Sequence, residues 1–321
     1  MEPEGVFKIS DKIFMIKGYN GSRNPWCNTM VIADEEIAVI DPGCGKKELE
    51  RGFSSLGLRV KDVDLVINTH HHFDHTASSW YIRKRSDCQV IMPEQEGRIL
   101  EDFEEIKRRY HCIEPPKTVF FKMLLPGYAR TIGFKECKVD GVYKDGDVIN
   151  LGDVKLEAIH APGHTDGFSC FMDRNSGVIY TADIDLTKFG PFCMGITADV
   201  SQFIESINKI RELKPSVVVT GHLPDPVTEG IEDRFKSYAE VLLEREKKIL
   251  GLLSDKEMRV GDLSERIPIF KEKYWKMISP AISPWLKHMA KCMILKHLEK
   301  LEDEGVVTRK HNGSEVYFSL L

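Results

Sequence analysis

The segment Thr69-His70-His71-His72-Phe73-Asp74-His75 constrains the fold of this 321-residue chain more than any other feature. It follows an apolar run at 64–68 that is typical of a buried strand, and a helical pattern comes after it. The first and third histidines are two residues apart, so both side chains point the same way from extended backbone. Imidazole and carboxylate groups together suit zinc, iron or manganese. The segment therefore predicts metal ligands in a loop at the end of a strand, where a rigid scaffold holds them.

Three further candidate ligands each follow a strand-like run. His164 comes after the run at 156–159, Asp183 after 178–179 and His222 after 217–219. Functional groups of α/β proteins collect at such strand ends. An isolated His-x-His or Gly-His often occurs by chance at a protein surface, but chance does not explain this ordered set of ligand types. The predicted metal ligands are His70, His72, Asp74, His75, His164, Asp183 and His222.

Seven ligands are enough for two metal ions if Asp183 bridges them. One centre then takes His70, His72 and His164 as its remaining ligands. The other takes Asp74, His75 and His222. Each centre keeps a position for water, which is typical of catalytic rather than structural sites.

These motifs resemble those of the metallo-β-lactamase superfamily. The similarity covers roughly residues 6–225 and includes Ile40-Asp41-Pro42-Gly43, which in this superfamily lies under the metal site. It implies an α/β protein, an αββα sandwich with the metal ions at one edge. The chain departs from the pattern at Ala182, because glycine commonly precedes the bridging aspartate. One added methyl group should not displace the carboxylate, so the assignment of Asp183 is kept.

The ligand set also narrows the branch of the superfamily. Asp74, His75 and Asp183 together resemble the dinuclear hydrolases, such as glyoxalase II and the superfamily's nucleases. True β-lactamases lack the bridging aspartate and are usually exported, so antibiotic hydrolysis is not expected. Flavodiiron proteins usually have glutamate where His72 stands here. The resemblance therefore predicts a metal-dependent hydrolase with two divalent ions, zinc first and iron or manganese as alternatives.

Two domains are expected: a catalytic domain at 1–230 and a mostly helical domain at 231–321. The second part reads as three helices, followed by two strands around Asn312-Gly313, a strong hairpin signal. This order of helices and strands is typical of winged-helix domains. Together with the junction at 298–305, it resembles a branch of metallo-β-lactamase hydrolases that includes an endoribonuclease acting on single strands.

The two parts differ in charge. Residues 231–321 contain 17 basic and 15 acidic side chains, and the remainder contains 28 and 35, which gives +2 and −7. A phosphate-binding helix should show a one-sided basic stripe, and the third helix of the tail does not. A small acyl substrate (thioester, ester or lactone) is therefore preferred. The alternatives are an endoribonuclease on single-stranded RNA and, less favoured, a winged-helix DNA-binding regulator.

The expected mechanism uses a hydroxide bridging both metals, with Asp74 as the catalytic residue that binds one metal and orients the nucleophile. The region between His75 and His164 is the expected wall of the substrate site. Residues 94–110 are predicted as helical and 114–128 as a loop. Tyr128, Phe189 and Phe192 are candidate substrate-binding residues, with packing as the alternative reading.

Cytoplasmic localisation is expected, with no membrane partner. No apolar run reaches the roughly 18 residues of a transmembrane helix, and the N-terminus carries no apolar signal region. Eight cysteines are scattered singly without a Cys-x-x-Cys pair, which favours a reducing compartment. The tail is predicted to cover the pocket or to form a homodimer.

Overall fold

The computed structural model of the protein describes residues 5–113, 117–270, 283–313 and 315–321. The predicted wall segment at 114–116 lies outside the described residues. The strands are Val6–Lys8 (β1), Ile13–Ile16 (β2), Thr29–Ala33 (β3), Ile37–Ile40 (β4), Leu65–Ile67 (β5), Gln89–Pro93 (β6), Gly141–Tyr143 (β7), Val148–Asn150 (β8), Lys155–His160 (β9), Ser169–Asp173 (β10), Val178–Tyr180 (β11), Val217–Val219 (β12), Met258–Arg259 (β13), Val307–Asn312 (β14) and Glu315–Leu320 (β15). The helices are Lys46–Ser55 (α1), Phe73–Thr76 (α2), Ser79–Arg83 (α3), Phe103–Arg109 (α4), Val119–Ile132 (α5), Val200–Glu212 (α6), Ile231–Leu253 (α7), Val260–Arg266 (α8) and Ser283–Asp303 (α9).

Two mixed sheets form the centre of the molecule. The first runs β1 to β7 in sequence order, and the second has the order β12-β11-β10-β9-β8. β4, β5, β6 and β7 pair in parallel, as do β11 and β12, whereas the other pairs in these sheets are antiparallel. The parallel pairs bring the C-terminal ends of several strands to one edge, where loops can converge.

Alternation along the strands sorts side chains to the two faces of the first sheet. Met30 and Ile32 of β3 join the core with the second sheet, while Val31 joins the core that contains Leu49 and Phe53 of α1. Successive side chains of a strand point to opposite faces of its sheet, so β3 is almost entirely apolar because both of its faces are buried. The predicted αββα sandwich is confirmed.

The predicted loop at 114–128 is wrong over most of its described part. α5 begins at Val119, where the Thr118 side chain accepts a hydrogen bond from the Phe121 amide at 3.4 Å. Pro126 lies inside this helix. Leu125 and Ala129 are buried one turn apart, and this packing outweighs the local preference against an internal proline. The predicted helix at 94–110 is shorter than expected and is α-helical only at Phe103–Arg109.

The region after residue 230 begins with α7, which packs on the sandwich. Phe235 and Leu242 of α7 share a core with Phe203 of α6, whereas Ile249 and Leu253 share a core with Leu298 of α9. A three-stranded sheet, β13-β15-β14, completes this region. The predicted helices and the terminal hairpin are all present, and their naming as a separate winged-helix domain stays a prediction. No helix in the described part of the chain has the length and apolarity needed to cross a bilayer.

Candidate metal centre

The candidate ligands lie in loops that follow strands, as predicted. His70 follows β5, Asp183 follows β11, and His222 follows β12. His164 comes four residues after β9, and Asp74 and His75 lie in the short helix α2. The structure brings all seven residues together, which we call the ligand cluster: His70, His72, Asp74, His75, His164, Asp183 and His222.

The first half of the ligand cluster contains His70, His72, His164 and Asp183. Their ligand atoms all lie within 4.8 Å of one another. His164 Nε2 is 2.9 Å from both His72 Nδ1 and Asp183 Oδ2, and His70 Nε2 is 3.8 Å from the same carboxylate oxygen. Three nitrogens and one oxygen converge on one point, which is a donor set that suits zinc, iron or manganese.

The second half contains Asp74, His75 and His222 and shares Asp183 with the first. His75 Nε2 lies 2.8 Å and His222 Nε2 3.3 Å from Asp183 Oδ1. His222 Nε2 is also 3.7 Å from Asp74 Oδ2. The two oxygens of Asp183 therefore face different sets of histidines, which is the geometry of a bridging carboxylate.

Buried polar atoms in the ligand cluster fit a metal site. His70 Nε2, His75 Nε2 and Asp183 Oδ1 are buried and have no hydrogen bond of acceptable geometry with the described residues. Buried polar atoms without partners are costly, since their desolvation is not compensated. Metal coordination would satisfy all three atoms, so the residues present fit two divalent ions.

Hydrogen bonds outside the ligand cluster set the orientation of its imidazoles. His75 Nδ1 is 2.8 Å from Asp41 Oδ2 and must donate to it, because a carboxylate only accepts. The Thr69 hydroxyl donates to the same carboxylate oxygen at 2.7 Å and therefore accepts from His70 Nδ1 at 2.9 Å. Both rings are left with Nε2 free to bind a metal.

Main-chain carbonyl groups fix two further rings. His164 Nδ1 donates to the Phe192 carbonyl at 2.7 Å, and His222 Nδ1 lies 3.0 Å from the Ser22 carbonyl. His72 differs, since its Nδ1 faces the site. Protein groups outside the ligand cluster thus orient four of its five imidazole rings, all except His72.

The backbone around Asp41 and Pro42 packs tightly under the site. A Cβ atom on Gly43 would lie 1.6 Å from the Asp74 carbonyl oxygen, which no side chain can tolerate. The glycine of the predicted Asp-Pro-Gly motif is therefore required for the close approach of α2.

Ala182 explains why glycine is common before the bridging aspartate. Its φ is +42°, in the left-handed region that costs a residue with a Cβ atom roughly 1–2 kcal/mol. The residue is completely buried, and Asp183 still reaches both sets of histidines. The expectation that alanine does not displace the carboxylate agrees with this geometry.

Burial and mutual charge shift the pKa values of the ligand cluster in opposite directions. Burial lowers the pKa of His70 and of His72 well below the ordinary value. Burial also opposes charge on His222, but the hydrogen bond and charge of Asp183 outweigh it and raise the pKa of His222 to about 9. Despite burial, His75 and His164 hold the pKa of Asp183 well below its usual range. Asp183 is therefore an anion, as a bridging ligand must be.

The buried carboxylate of Glu96 contacts His71 of the histidine segment. His71 Nδ1 is 2.9 Å from Glu96 Oε1, and the Thr165 hydroxyl donates to the same oxygen at 2.6 Å. The contact between His71 and Glu96 connects the loops that carry His72 and His164, and the sequence contains no local signal for it.

Aromatic and amide side chains form the wall on one side. The Tyr110 ring lies 4.8 Å from the His72 ring, and its hydroxyl accepts the Phe73 amide at 2.9 Å. Asn24 Nδ2 is 3.3 Å from both Asp74 Oδ2 and the Tyr128 hydroxyl. Tyr128 therefore lies beside the ligand cluster, and its role in substrate binding stays a prediction. Sequence reasoning did not find Tyr110 and Asn24, because no motif surrounds them.

The two candidate phenylalanines differ in position. The Phe192 ring centroid is 6.2 Å from that of His164, and its carbonyl holds the same imidazole. Phe189 packs between Phe192 and Phe270, with ring centroids 6.4 and 5.5 Å away. Phe192 thus borders the ligand cluster, and Phe189 has the packing environment given as the alternative.

Two residues of α7, which we call the α7 contacts, hold the loops of the ligand cluster. The Tyr238 hydroxyl donates to the Asp183 carbonyl at 2.9 Å. The buried Arg245 donates to the carbonyls of Pro191 and Phe189 at 2.8 and 3.2 Å. An arginine within the apolar stripe of a long helix is the one sequence signal that could have revealed this role.

Comparison with known proteins identifies the family. The sequence profile described as "Metallo-beta-lactamase superfamily" matches residues 27–222, more than half of the chain. The chain belongs to the metallo-β-lactamase superfamily. It is a metal-dependent hydrolase of that superfamily.

Several named relatives are similar over much of the chain. An acyl-coenzyme A thioesterase of Homo sapiens is 26% identical over 241 residues, covering 69% of this chain and 77% of the relative. A probable metallo-hydrolase of Methanocaldococcus jannaschii is 28% identical and covers 63% and 85%. A hydroxyacylglutathione hydrolase of Rhodospirillum rubrum is 26% identical and covers 58% and 56%.

Two solved structures share the fold over nearly the whole chain. A metallo-beta-lactamase family protein from Thermus thermophilus superposes with a TM-score of 0.70 at 22% identity, covering 91% of this chain and 93% of that one. A beta-lactamase domain protein from Burkholderia ambifaria gives 0.72 at 17% identity, with coverage of 99% and 96%. The described region after residue 230 is thus included in a shared fold.

Proposed function

We propose that this protein is a dinuclear metal-dependent hydrolase that cleaves a small acyl substrate, with thioesters preferred over esters and lactones. The observation that carries the proposal is Asp183, whose two oxygens face two separate sets of histidines. The names of relatives, an acyl-coenzyme A thioesterase and a hydroxyacylglutathione hydrolase, support an acyl substrate.

The proposed metal ligands are those of the ligand cluster, with His70, His72 and His164 on one ion. Asp74, His75 and His222 would hold the other. Two divalent ions, zinc first and iron or manganese as alternatives, would supply Lewis acidity and a water of lowered pKa when bound.

Asp74 and its neighbours supply the remaining chemistry. We assign Asp74 the catalytic role of orienting the attacking water, with Asn24 holding its Oδ2 from 3.3 Å. Burial of the hydroxyl and the Asp74 charge raise the pKa of Tyr128 well above its ordinary value, so Tyr128 stays a hydrogen-bond donor. Its hydroxyl can donate to the carbonyl oxygen of an acyl group as charge develops there.

The α9 helix argues against the alternative of an endoribonuclease. Lys296 is buried and donates to the Ile196 carbonyl at 3.1 Å, and Lys300 binds Glu246 at 3.0 Å. These two lysines are used inside the molecule, which leaves no continuous basic stripe along the described face of α9 for a phosphate backbone. The homodimer expected through this region stays a prediction.

A side-by-side assay of metal-loaded protein tests the proposal. The panel contains small acyl thioesters, a lactone, a bis-aryl phosphodiester and a single-stranded RNA. Thioester turnover that needs added or retained metal, together with no RNA cleavage, is expected. Cleavage of RNA in preference to the thioesters would contradict the acyl assignment, and equal turnover after complete metal removal would contradict the metal mechanism.

Two variants separate this centre from a contaminating activity. Asp183→Asn should lose bound metal and thioester turnover together, since the bridging carboxylate is replaced by a neutral amide. The matched control is Asp11→Asn, because the Asp11 side chain is 95% exposed and pairs only with Lys8 in the described structure. The control should retain metal content and turnover.

A further inference from the structure

Two cysteines from distant parts of the chain meet beside the ligand cluster. Cys112 lies shortly after α4, and Cys292 lies in the middle of α9, 180 residues later. The Cys112 thiol donates a hydrogen bond to the Cys292 carbonyl oxygen at 3.6 Å. Both are free thiols. The Cys112 sulfur therefore lies against the residue of α9 that carries the second thiol.

The two sulfur atoms differ in access. Cys112 is half-buried, whereas Cys292 and the other six cysteines are buried. A small reagent in solution can therefore reach Cys112 first. Cys292 is placed to react only with what is already attached to Cys112.

A histidine pair adjoins the buried sulfur. His288 Nε2 is 3.7 Å from Cys292 Sγ and 3.1 Å from His111 Nδ1. The neighbouring Cys112 thiol and the contact with His288 outweigh the opposing effect of burial and lower the pKa of Cys292 below its ordinary value. Lys296 and Glu299 also face this pair, with opposite charges. A thiolate, not a thiol, is the nucleophile in disulfide chemistry.

We propose that Cys112 and Cys292 are a dithiol modification site, which a low-molecular-weight disulfide converts into an intramolecular disulfide between the α4–α5 connection and α9. The Cys112 thiol loses its proton to solvent, and the Cys112 sulfur attacks one sulfur of the small disulfide. This step breaks the small S–S bond, forms a mixed disulfide at Cys112 and releases one small thiolate, which takes up a proton from solvent.

The second step closes the protein disulfide. His288 Nε2 accepts the proton of Cys292, and the Cys292 thiolate attacks the Cys112 sulfur. The second small thiolate leaves and takes up a proton. Two protein thiols are oxidised to one disulfide, and the small disulfide is reduced to two thiols, so electrons and protons balance.

This bond would connect α9 to the wall of the ligand cluster. Tyr110 precedes Cys112 by two residues, and its ring lies 4.8 Å from the His72 ring. The oxidised form would hold the described end of α4 against α9 and restrict movement of the Tyr110 wall. It would also close a loop of 180 residues.

The test exposes the reduced, metal-loaded, full-length protein to oxidised glutathione. After alkylation and tryptic digestion, mass spectrometry should find the peptides at 110–117 and 292–296 joined by a disulfide. Thermal unfolding should show a melting temperature roughly 5 °C or more above that of the reduced protein, reversible by dithiothreitol. Neither readout depends on catalysis.

Variants determine whether the pair is specific. Cys112→Ser and Cys292→Ser should each abolish the cross-link and the shift in melting temperature. Cys88→Ser, which changes another buried cysteine, should retain both. If Cys292→Ser does not fold, Cys112→Ser carries the test, since its side chain is half-buried. Glutathione attached to Cys112 without a cross-link to Cys292, or a cross-link that survives Cys112→Ser, would overturn the proposal.

Discussion

The ligand cluster and the α7 contacts both contribute to the candidate metal centre, but their residues are distributed differently along the chain. Four of the seven candidate ligands lie within residues 70–75, and the others lie three or four residues after the ends of strands. Tyr238 and Arg245 lie 55 and 54 residues from the loop residues that they hold. The metal chemistry is therefore local in the sequence, whereas the positioning of its loops depends on a helix from beyond residue 230.

Asp74→Asn tests the chemical side of this comparison and has the largest expected effect. The amide cannot act as the carboxylate does on the attacking water, so turnover should fall by about 10²–10⁴-fold. The amide oxygen of the variant can still accept the hydrogen bond of Asn24, so the fold should stay intact. Steady-state kinetics and circular dichroism measure the two effects, with Asp11→Asn as control. Turnover close to that of the unchanged protein would remove Asp74 from the catalytic role.

Arg245→Met tests the positioning side. The substitution leaves the carbonyls of Pro191 and Phe189 without their donor, which should destabilise the protein by about 2–3 kcal/mol. Because the same loop carries the Phe192 carbonyl that orients His164, turnover should fall roughly 10-fold. Chemical denaturation and kinetics measure these changes, with the exposed Lys247→Met on the same helix as control. Unchanged turnover at reduced stability would show that α7 stabilises the fold without positioning the site.

Glu246→Gln changes the neighbour of Arg245 that faces α9. Glu246 binds Lys300 at 3.0 Å and His297 at 3.3 Å. Its replacement should cost roughly 1–2 kcal/mol at pH 7 with turnover unchanged, since it does not contact the loops of the ligand cluster. A loss of turnover equal to that of Arg245→Met would show that both faces of α7 position the ligand cluster.

The effect of Glu246→Gln should depend on pH. Burial opposes ionisation, but His297 and Lys300 outweigh it and lower the pKa of Glu246 below its ordinary value of 4.5. The stabilisation by Glu246 is therefore present above the unfolded-state pKa and is lost as pH falls through the folded-state pKa. Denaturation curves between pH 7 and pH 3 should show the two proteins converging below about pH 4.5. A constant difference across this range would exclude an ionic contribution.

Ala182→Gly has the smallest expected effect and tests strain within the ligand cluster. Glycine relieves the positive φ of +42° but adds entropy to the unfolded chain, so the stability should rise by about 0–1 kcal/mol. Metal analysis should find unchanged content, because the Asp183 carboxylate keeps its position. A clear loss of stability would show that the methyl group contributes more by packing than it costs in strain.

Sequence reasoning could select chemical groups that occur at fixed places after strands. The seven candidate ligands, which the structure brings together, and the Asp-Pro-Gly turn could be recognised because the strand ends of a mixed sheet leave few positions for ligands. Their role as metal ligands stays a prediction. It failed for α5, where buried Leu125 and Ala129 outweigh an internal proline. It also missed Tyr110, Asn24 and Glu96, whose roles depend on contacts between segments that no spacing rule connects.

The sequence by itself indicated the αββα fold through its resemblance to the superfamily. It also supplied the candidate ligands and their order, because the His-x-His-x-Asp-His spacing is contained in one short segment. Only the tertiary structure decided which nitrogen each imidazole turns to the site, as the Asp41, Thr69 and Phe192 partners show. It also decided that α7 holds the loops of the ligand cluster and that Cys112 meets Cys292. Such contacts form between residues that are far apart in the chain, and only the packing of the complete fold brings them together.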